Sequence, residues 1–281
     1  MGVFSRSYQI FKESLAVLKE EKMLALFPVI SGLVMILLTI SLLVPLYYLA
    51  GIKEGTVENN PLIYVFLFIF YFAGYFVIIF FNTGLIACAH LRLNGMDPSF
   101  QDGLQFALEN AGKIAGWALI SATVGLALNM IRERAGIIGR IAAGIIGIAW
   151  NLITFFVIPV FVFEGLGVIQ SIKKSAALFK RTWGENMVLR FSVSLILALF
   201  GMIGILPVAL AVMTKSAPII VVVGAVVAIY WIVLFVLGAS LNGIFAAALY
   251  NYASTGVVPS AYSPGTIENA FGPRTTTSFF R

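Results

Sequence analysis

The sequence predicts an all-α polytopic membrane protein, with six transmembrane helices and amphipathic helices lying at the membrane interface. Three observations predict it. Of 281 residues, 60% are hydrophobic and 11% charged. An ordinary soluble domain carries about 25% charged residues, so this chain cannot cover a water-facing surface with polar groups. Its apolar runs are continuous and long enough to cross a roughly 30 Å hydrocarbon core as helices, which takes about 20 residues each. A membrane barrel would instead show alternating segments of about 10 residues. Finally, the basic residues gather in the short segments between the runs.

The elements follow in order. Residues 5–22 are charged and helically patterned, with Ile10 or Phe11, then Leu15 and Leu18, on one face beside Lys19. They are not expected to be a cleavable signal, because the apolar run that follows is too long and lacks a small-residue cleavage site. Six runs come next: Met23–Ala50, Leu62–His90, Ile114–Met130, Ile141–Phe163, Phe191–Met213 and Ala217–Leu249. The third is short and can borrow Ala111–Lys113. The sixth is long and is expected to leave the bilayer before Tyr250. A second interfacial helix, with Phe100, Leu104, Ala107 or Leu108, and Ala111, precedes the third run. Pro159 lacks an amide donor and is expected to kink the end of the fourth. Glu164 then marks the water boundary and Gly165 ends the helix. Residues 168–181 place Ile169, Ile172, Ala176 and Phe179 on one helical face and the lysines mostly elsewhere, the pattern of a helix lying in the interface.

The formal net charge is +6. With the amino terminus inside, the inner segments hold Arg6, Lys12, Lys19, Lys22, Arg92, Lys113, Lys173, Lys174, Lys180, Arg181, Arg190, Arg274 and Arg281. The outer loops hold Lys53, Arg132, Arg134, Arg140 and Lys215, so the tally is 13 against 5. Both termini are therefore expected in the cytoplasm, at the cell membrane. The segment Arg132–Arg140 dissents, with three arginines on the outer side and Glu133 offsetting part of their charge.

The stretches SYQIFKESLAVLKEEKML, SFQDGLQFALENAGKIAG and IQSIKKSAALFKRTWGEN share a Gln, apolar spacing and a polar tail. They suggest a single membrane domain over 1–258 built of three helix–span–span units, 1–97, 98–166 and 167–258, with a mostly irregular cytoplasmic tail over 259–281. Any junction between an inner segment and a span would look similar without a repeat.

The string IPVFVFEGLGVIQSIKKSAALFKRTWGEN, and the ending AALYNYASTGVVP followed by IENAF, resemble a domain-of-unknown-function family of archaeal and bacterial six-helix integral membrane proteins. More distantly they are similar to the membrane domain of glycerophosphoryl diester phosphodiesterases. The resemblance implies a fold and a location. It brings no reaction and no catalytic residues.

Small residues four apart offer close helix contacts in a bilayer. Gly139, Ala143 and Gly147 do so in the fourth run, Ala239, Gly243 and Ala247 in the sixth, and Ser121, Gly125 and Asn129 in the third. They fit either internal packing or a homo-oligomer interface.

Polar groups within spans are functional candidates by default. Asn82, Asn151 and Asn242 are candidate cavity-lining residues, and Glu164 with Arg190 a candidate ion pair at the inner boundary. Lys173, Lys174, Lys180 and Arg181 are candidate contacts for anionic headgroups on the cytoplasmic side. His90 and the loop acids Asp97, Asp102 and Glu109 stand without a partner motif. No phosphate loop, metal-ligand spacing or nucleophile elbow occurs, so no cofactor, metal or catalytic residue is expected. Cys88 stands alone, and no nucleic-acid module appears. Three classes remain: a non-catalytic protein that organises or binds lipid or a protein partner, a transporter or channel for lipid or a small solute, and a lipid-modifying enzyme, which is the least expected.

Overall fold

The computed structural model describes residues 3–49, 61–134, 136–183, 191–263 and 267. The segment holding Lys53, and Arg190, Arg274, Phe279, Phe280 and Arg281, lie outside them. Regular structure among the described residues is helical: α1 (Val3–Glu20), a 3-10 turn (Lys22–Ala25), α2 (Leu26–Leu49), α3 (Pro61–Leu93), α4 (Phe100–Glu109), α5 (Ala111–Arg134), α6 (Gly136–Ile153), α7 (Val157–Phe163), α8 (Val168–Trp183), α9 (Phe191–Ile203), α10 (Ile205–Met213) and α11 (Ala217–Thr255). Six stretches are long and apolar enough to cross a membrane: Lys22–Leu42, Val65–Leu93, Ala111–Glu133, Gly136–Phe163, Ile196–Met213 and Ala217–Thr255. The protein is an all-α polytopic membrane protein. The third span does take in Ala111–Lys113. Arg132 and Arg140 lie on helices rather than in a loop, because α5 runs on to Arg134 and α6 starts at Gly136.

Two spans are broken. The fourth divides at Thr154–Phe156 between α6 and α7, and the fifth at Gly204 between α9 and α10. A proline lacks its amide and its ring crowds the carbonyl four residues earlier. That carbonyl is Phe155 for Pro159 and Ile203 for Pro207, so each break falls one turn before its proline. The expected kink at the end of the fourth span is thus displaced upstream, and the fifth span carries a break that its apolar run did not announce.

The described residues form two compact units. The first holds residues 1–25, 89–97 and 180–281. Here α1 packs against α9 and α11. Ile10, Val17, Leu18 and Leu24 are buried, as are Leu241, Ile244, Phe245, Ala248, Leu249 and Tyr252 of α11. Burial is concentrated in the second half of α11; in its first half Val227 is buried, whereas Val221, Val222, Ile229 and Phe235 are exposed. At 1.5 Å per residue, α11 is about 58 Å long, nearly twice a hydrocarbon core, so its carboxyl end must leave the bilayer. Around the Gly204 break, Tyr230 Oη donates to the Phe200 carbonyl (2.6 Å) and Trp231 Nε1 to that of Gly201 (3.1 Å).

The chain after α11 is tied to α1. Tyr262 and Ile267 are buried, Tyr262 Oη and Ser14 Oγ share a buried hydrogen bond of 2.8 Å, and Ser263 Oγ donates to Glu13 Oε1 (2.7 Å). Burial pushes the Tyr262 hydroxyl well above its usual range, so it stays neutral at any physiological pH. Tyr262→Phe should cost about 1 kcal/mol, the net worth of one such bond. Thermal unfolding of the detergent-solubilised chain checks this, and an unchanged midpoint would show that the bond does not hold the segment.

The second unit holds residues 26–88 and 98–179. Its core gathers Ile79 of α3, Ala107 of α4, Ile114, Trp117 and Ala118 of α5, and Val157, Phe161 and Val162 of α7. The stripe Gly139, Ala143 and Gly147 is buried on α6, where α5 and α6 pair along their length. Small residues allow that approach without any apolar driving force from lipid. A capping box starts α4: Ser99 N and Oγ both donate to Asp102 Oδ2 (2.7 Å each), and Asp102 N donates back to Ser99 Oγ. These donors hold the Asp102 carboxyl below its usual range.

Candidate functional site

Helix α8 carries the basic cluster. Its buried row is Ser171, Ser175 and Leu178. The expected apolar row, Ile169, Ile172, Ala176 and Phe179, is exposed at Ile169 and half-buried elsewhere. The reason is the break before α7. Phe156 N, which the break deprives of a helical partner, donates to Ser175 Oγ (3.0 Å), and Ser175 Oγ donates to the Ile153 carbonyl. Ser171 Oγ donates to the Gly167 carbonyl (3.0 Å). Polar side chains thus turn inward, Ile172 packs against the core of the second unit, and Ile169 is left on the open flank.

Lys173 and Lys180 are exposed. Lys174 is exposed too, but its ammonium is paired with Glu164. Arg181 is helical, and its side chain, like Arg190, lies outside what is described. Gly165 has φ +69° and ends the turn after α7, as expected for a glycine stop. Lys113 Nζ donates to the carbonyls of Phe161 (3.3 Å) and Gly165 (3.1 Å), placing a cation where that helix leaves its carbonyls open.

A cavity of about 520 Å³ lies between α3, α5 and α6. Tyr71 and Tyr75 form one wall, Asn129, Arg132 and Gly147 another, and Trp117, Trp150, Asn151 and Thr154 reach its far end. The two tryptophans stack there with ring centres 5.8 Å apart. Tyr75 Oη lies over Gly125, where a β-carbon would come within 2.9 Å of it. Asn129 Nδ2 donates to Glu133 Oε1 (2.8 Å), and Thr154 Oγ1 to the Trp150 carbonyl (2.7 Å).

Of the three asparagines picked out from the sequence, Asn151 lines this cavity. Asn82, half-buried on α3, and Asn242, exposed on α11, are not among its lining residues. Arg132, Tyr71 and Tyr75 were not singled out. Arg132 carried a signal, as a positive charge on the unexpected side; the tyrosines were lost among the aromatics that crowd α3. The loop acids have local partners: Asp97 faces Arg92 (3.8 Å), which also holds Glu21 (3.2 Å), and Glu109 accepts from Gln105 (3.0 Å). Among the described residues, no three His, Cys, Asp or Glu side chains are grouped to hold a metal ion.

A profile for a family of unknown function, DUF6159, matches residues 62–260. The chain belongs to that family. No curated protein and no solved structure matches it. The DUF6159 region takes in α3 through α11, and so the whole cavity and α8, while α1 and α2 precede it.

Proposed function

We propose that this DUF6159 protein is a non-catalytic integral membrane protein that binds anionic lipid through basic residues on its interfacial helices. Both termini lie on the cytoplasmic side of the cell membrane, in keeping with the 13-to-5 distribution of Lys and Arg. One observation carries the reading: α8 exposes Ile169 on the same flank as the exposed Lys173 and Lys180. Such a flank rests its exposed apolar side chain against acyl chains and its ammonium groups against phosphates. Each basic residue near an anionic surface contributes about 1 kcal/mol.

The test is the double substitution Lys173→Gln with Lys180→Gln, in nanodiscs of equal phosphatidylglycerol and phosphatidylcholine. The composition of lipid retained by the protein would be measured. The expected loss is about 2 kcal/mol, roughly a thirtyfold fall in preference for phosphatidylglycerol. Wild-type preference in the double variant would remove the basis of the reading.

A second reading is transport of a lipid or small solute, and the cavity lined by Asn151 favours it. Asn151→Leu that abolishes liposome flux while keeping the fold would select it.

A further inference from the structure

We infer that the cavity between α3, α5 and α6 binds one single-chain amphiphile with an anionic head, a carboxylate or a phosphate, and that Arg132 holds the head at its mouth. The site is separate from the basic face of α8 and does not depend on it. Its volume of about 520 Å³ lies in the range of small-molecule sites, about 300–1,000 Å³. It is also long. Trp117 and Arg132 both line it and sit fifteen residues apart on α5, about 22 Å along the helix axis. One leaflet is half of a roughly 30 Å core, so an extended acyl chain fits within that length.

The charge is placed for a ligand. Among the described residues, ion pairs occupy Arg92 and Lys174, and none involves Arg132. The adjacent carboxylate, Glu133, accepts from Asn129. Arg132 Nη2 would lie 3.6 Å from a β-carbon at Gly147, so the guanidinium rests over a glycine at the cavity wall. A guanidinium offers paired donors that match a carboxylate or phosphate. Deeper in, Thr154 spends its hydroxyl on the Trp150 carbonyl, and Ile78, Ile79, Val124, Leu128, Ile148 and the tryptophan pair present apolar surface. One end of the cavity is thus cationic, and along the rest apolar side chains alternate with the uncharged Ser121 and Asn151. The same assignment accounts for an arginine where the distribution of charge opposes one.

Two variants plug the cavity. Gly144 lines it, and a β-carbon there meets nothing within 4 Å, so Gly144→Phe fills space without a clash at its base. Ile148→Trp, one turn further along α6, fills it from an exposed position. Binding of labelled oleate, oleoyl lysophosphatidate and uncharged monoolein would be measured on the full chain in non-ionic micelles. Saturable binding of one anionic probe per chain is expected, and the tighter of the two names the head. Arg132→Gln should weaken both anionic probes at least tenfold and leave monoolein unchanged, and either plug should abolish all binding. Three results would overturn the inference: no saturable binding by the wild type, wild-type binding by both folded plug variants, or anionic binding indifferent to Arg132→Gln.

Discussion

Gly103→Ala should cost the protein about 2–3 kcal/mol, at the upper end of what overpacking a filled site costs. Phe27, the second residue of α2, is fully buried and tilts against Phe100 of α4 at 4.6 Å. It fits because α3 and α4 present glycine to it. A β-carbon on Gly103 would come within 2.4 Å of Phe27 Cζ and 2.6 Å of Cys88 Sγ. One on Gly84 would meet Phe27 Cε1 at 2.6 Å and the Gly103 carbonyl at 2.8 Å. The Phe27 ring is packed on several sides and the carbonyl is backbone, so neither yields cheaply. The midpoint of thermal unfolding in detergent, and the fraction eluting as a single species, read the effect. Phe27→Leu added to Gly103→Ala should recover part of the loss, since it removes the closest atoms. If the double variant were no better than Gly103→Ala, the wedge would not be the cause.

Ser175→Ala should be comparably damaging, at about 2–3 kcal/mol. Its hydroxyl serves two backbone groups exposed by the break before α7: it accepts from Phe156 N and donates to the Ile153 carbonyl. Ser175 and Phe156 are fully buried, so the freed Phe156 amide finds no water. Stranding a buried donor or acceptor costs about 1–3 kcal/mol each. Ser175→Thr keeps the hydroxyl and should restore most of the stability, whereas Ser175→Cys, a weak donor and acceptor, should restore little. Ser171→Ala provides the contrast. Its hydroxyl bonds the Gly167 carbonyl within its own helix, which also accepts from Ser171 N, so little is stranded. Equal losses at both serines would argue against the bridging role.

Much of this fold was legible in the chain. Run length gave the spans, because the thickness of a bilayer fixes how many apolar residues a helix needs. The stop at Glu164–Gly165 was legible because a glycine at positive φ after a charged residue has few other uses. Pro159 announced a distortion but misplaced it by a turn, since the ring acts on a carbonyl behind it. Pro207 works by the same mechanism, yet the uniform apolarity around it concealed the break. The candidate site was less visible. Asn151 stood out as a polar residue in a span. Gly125 and Gly147 read only as packing residues and Gly144 was not singled out, although all three line the cavity.

By itself, then, the sequence determined the solvent, the number of crossings and where the charge sits. These are one-dimensional properties, set by how far apolar residues continue and where basic ones interrupt them. Tertiary structure alone decided that Ser175 of α8 turns inward to mend a broken helix, and that three helices part to leave a cavity with an arginine at its edge. Both depend on which residues from distant parts of the chain come within a few ångströms of each other. No local pattern of polarity records that distance.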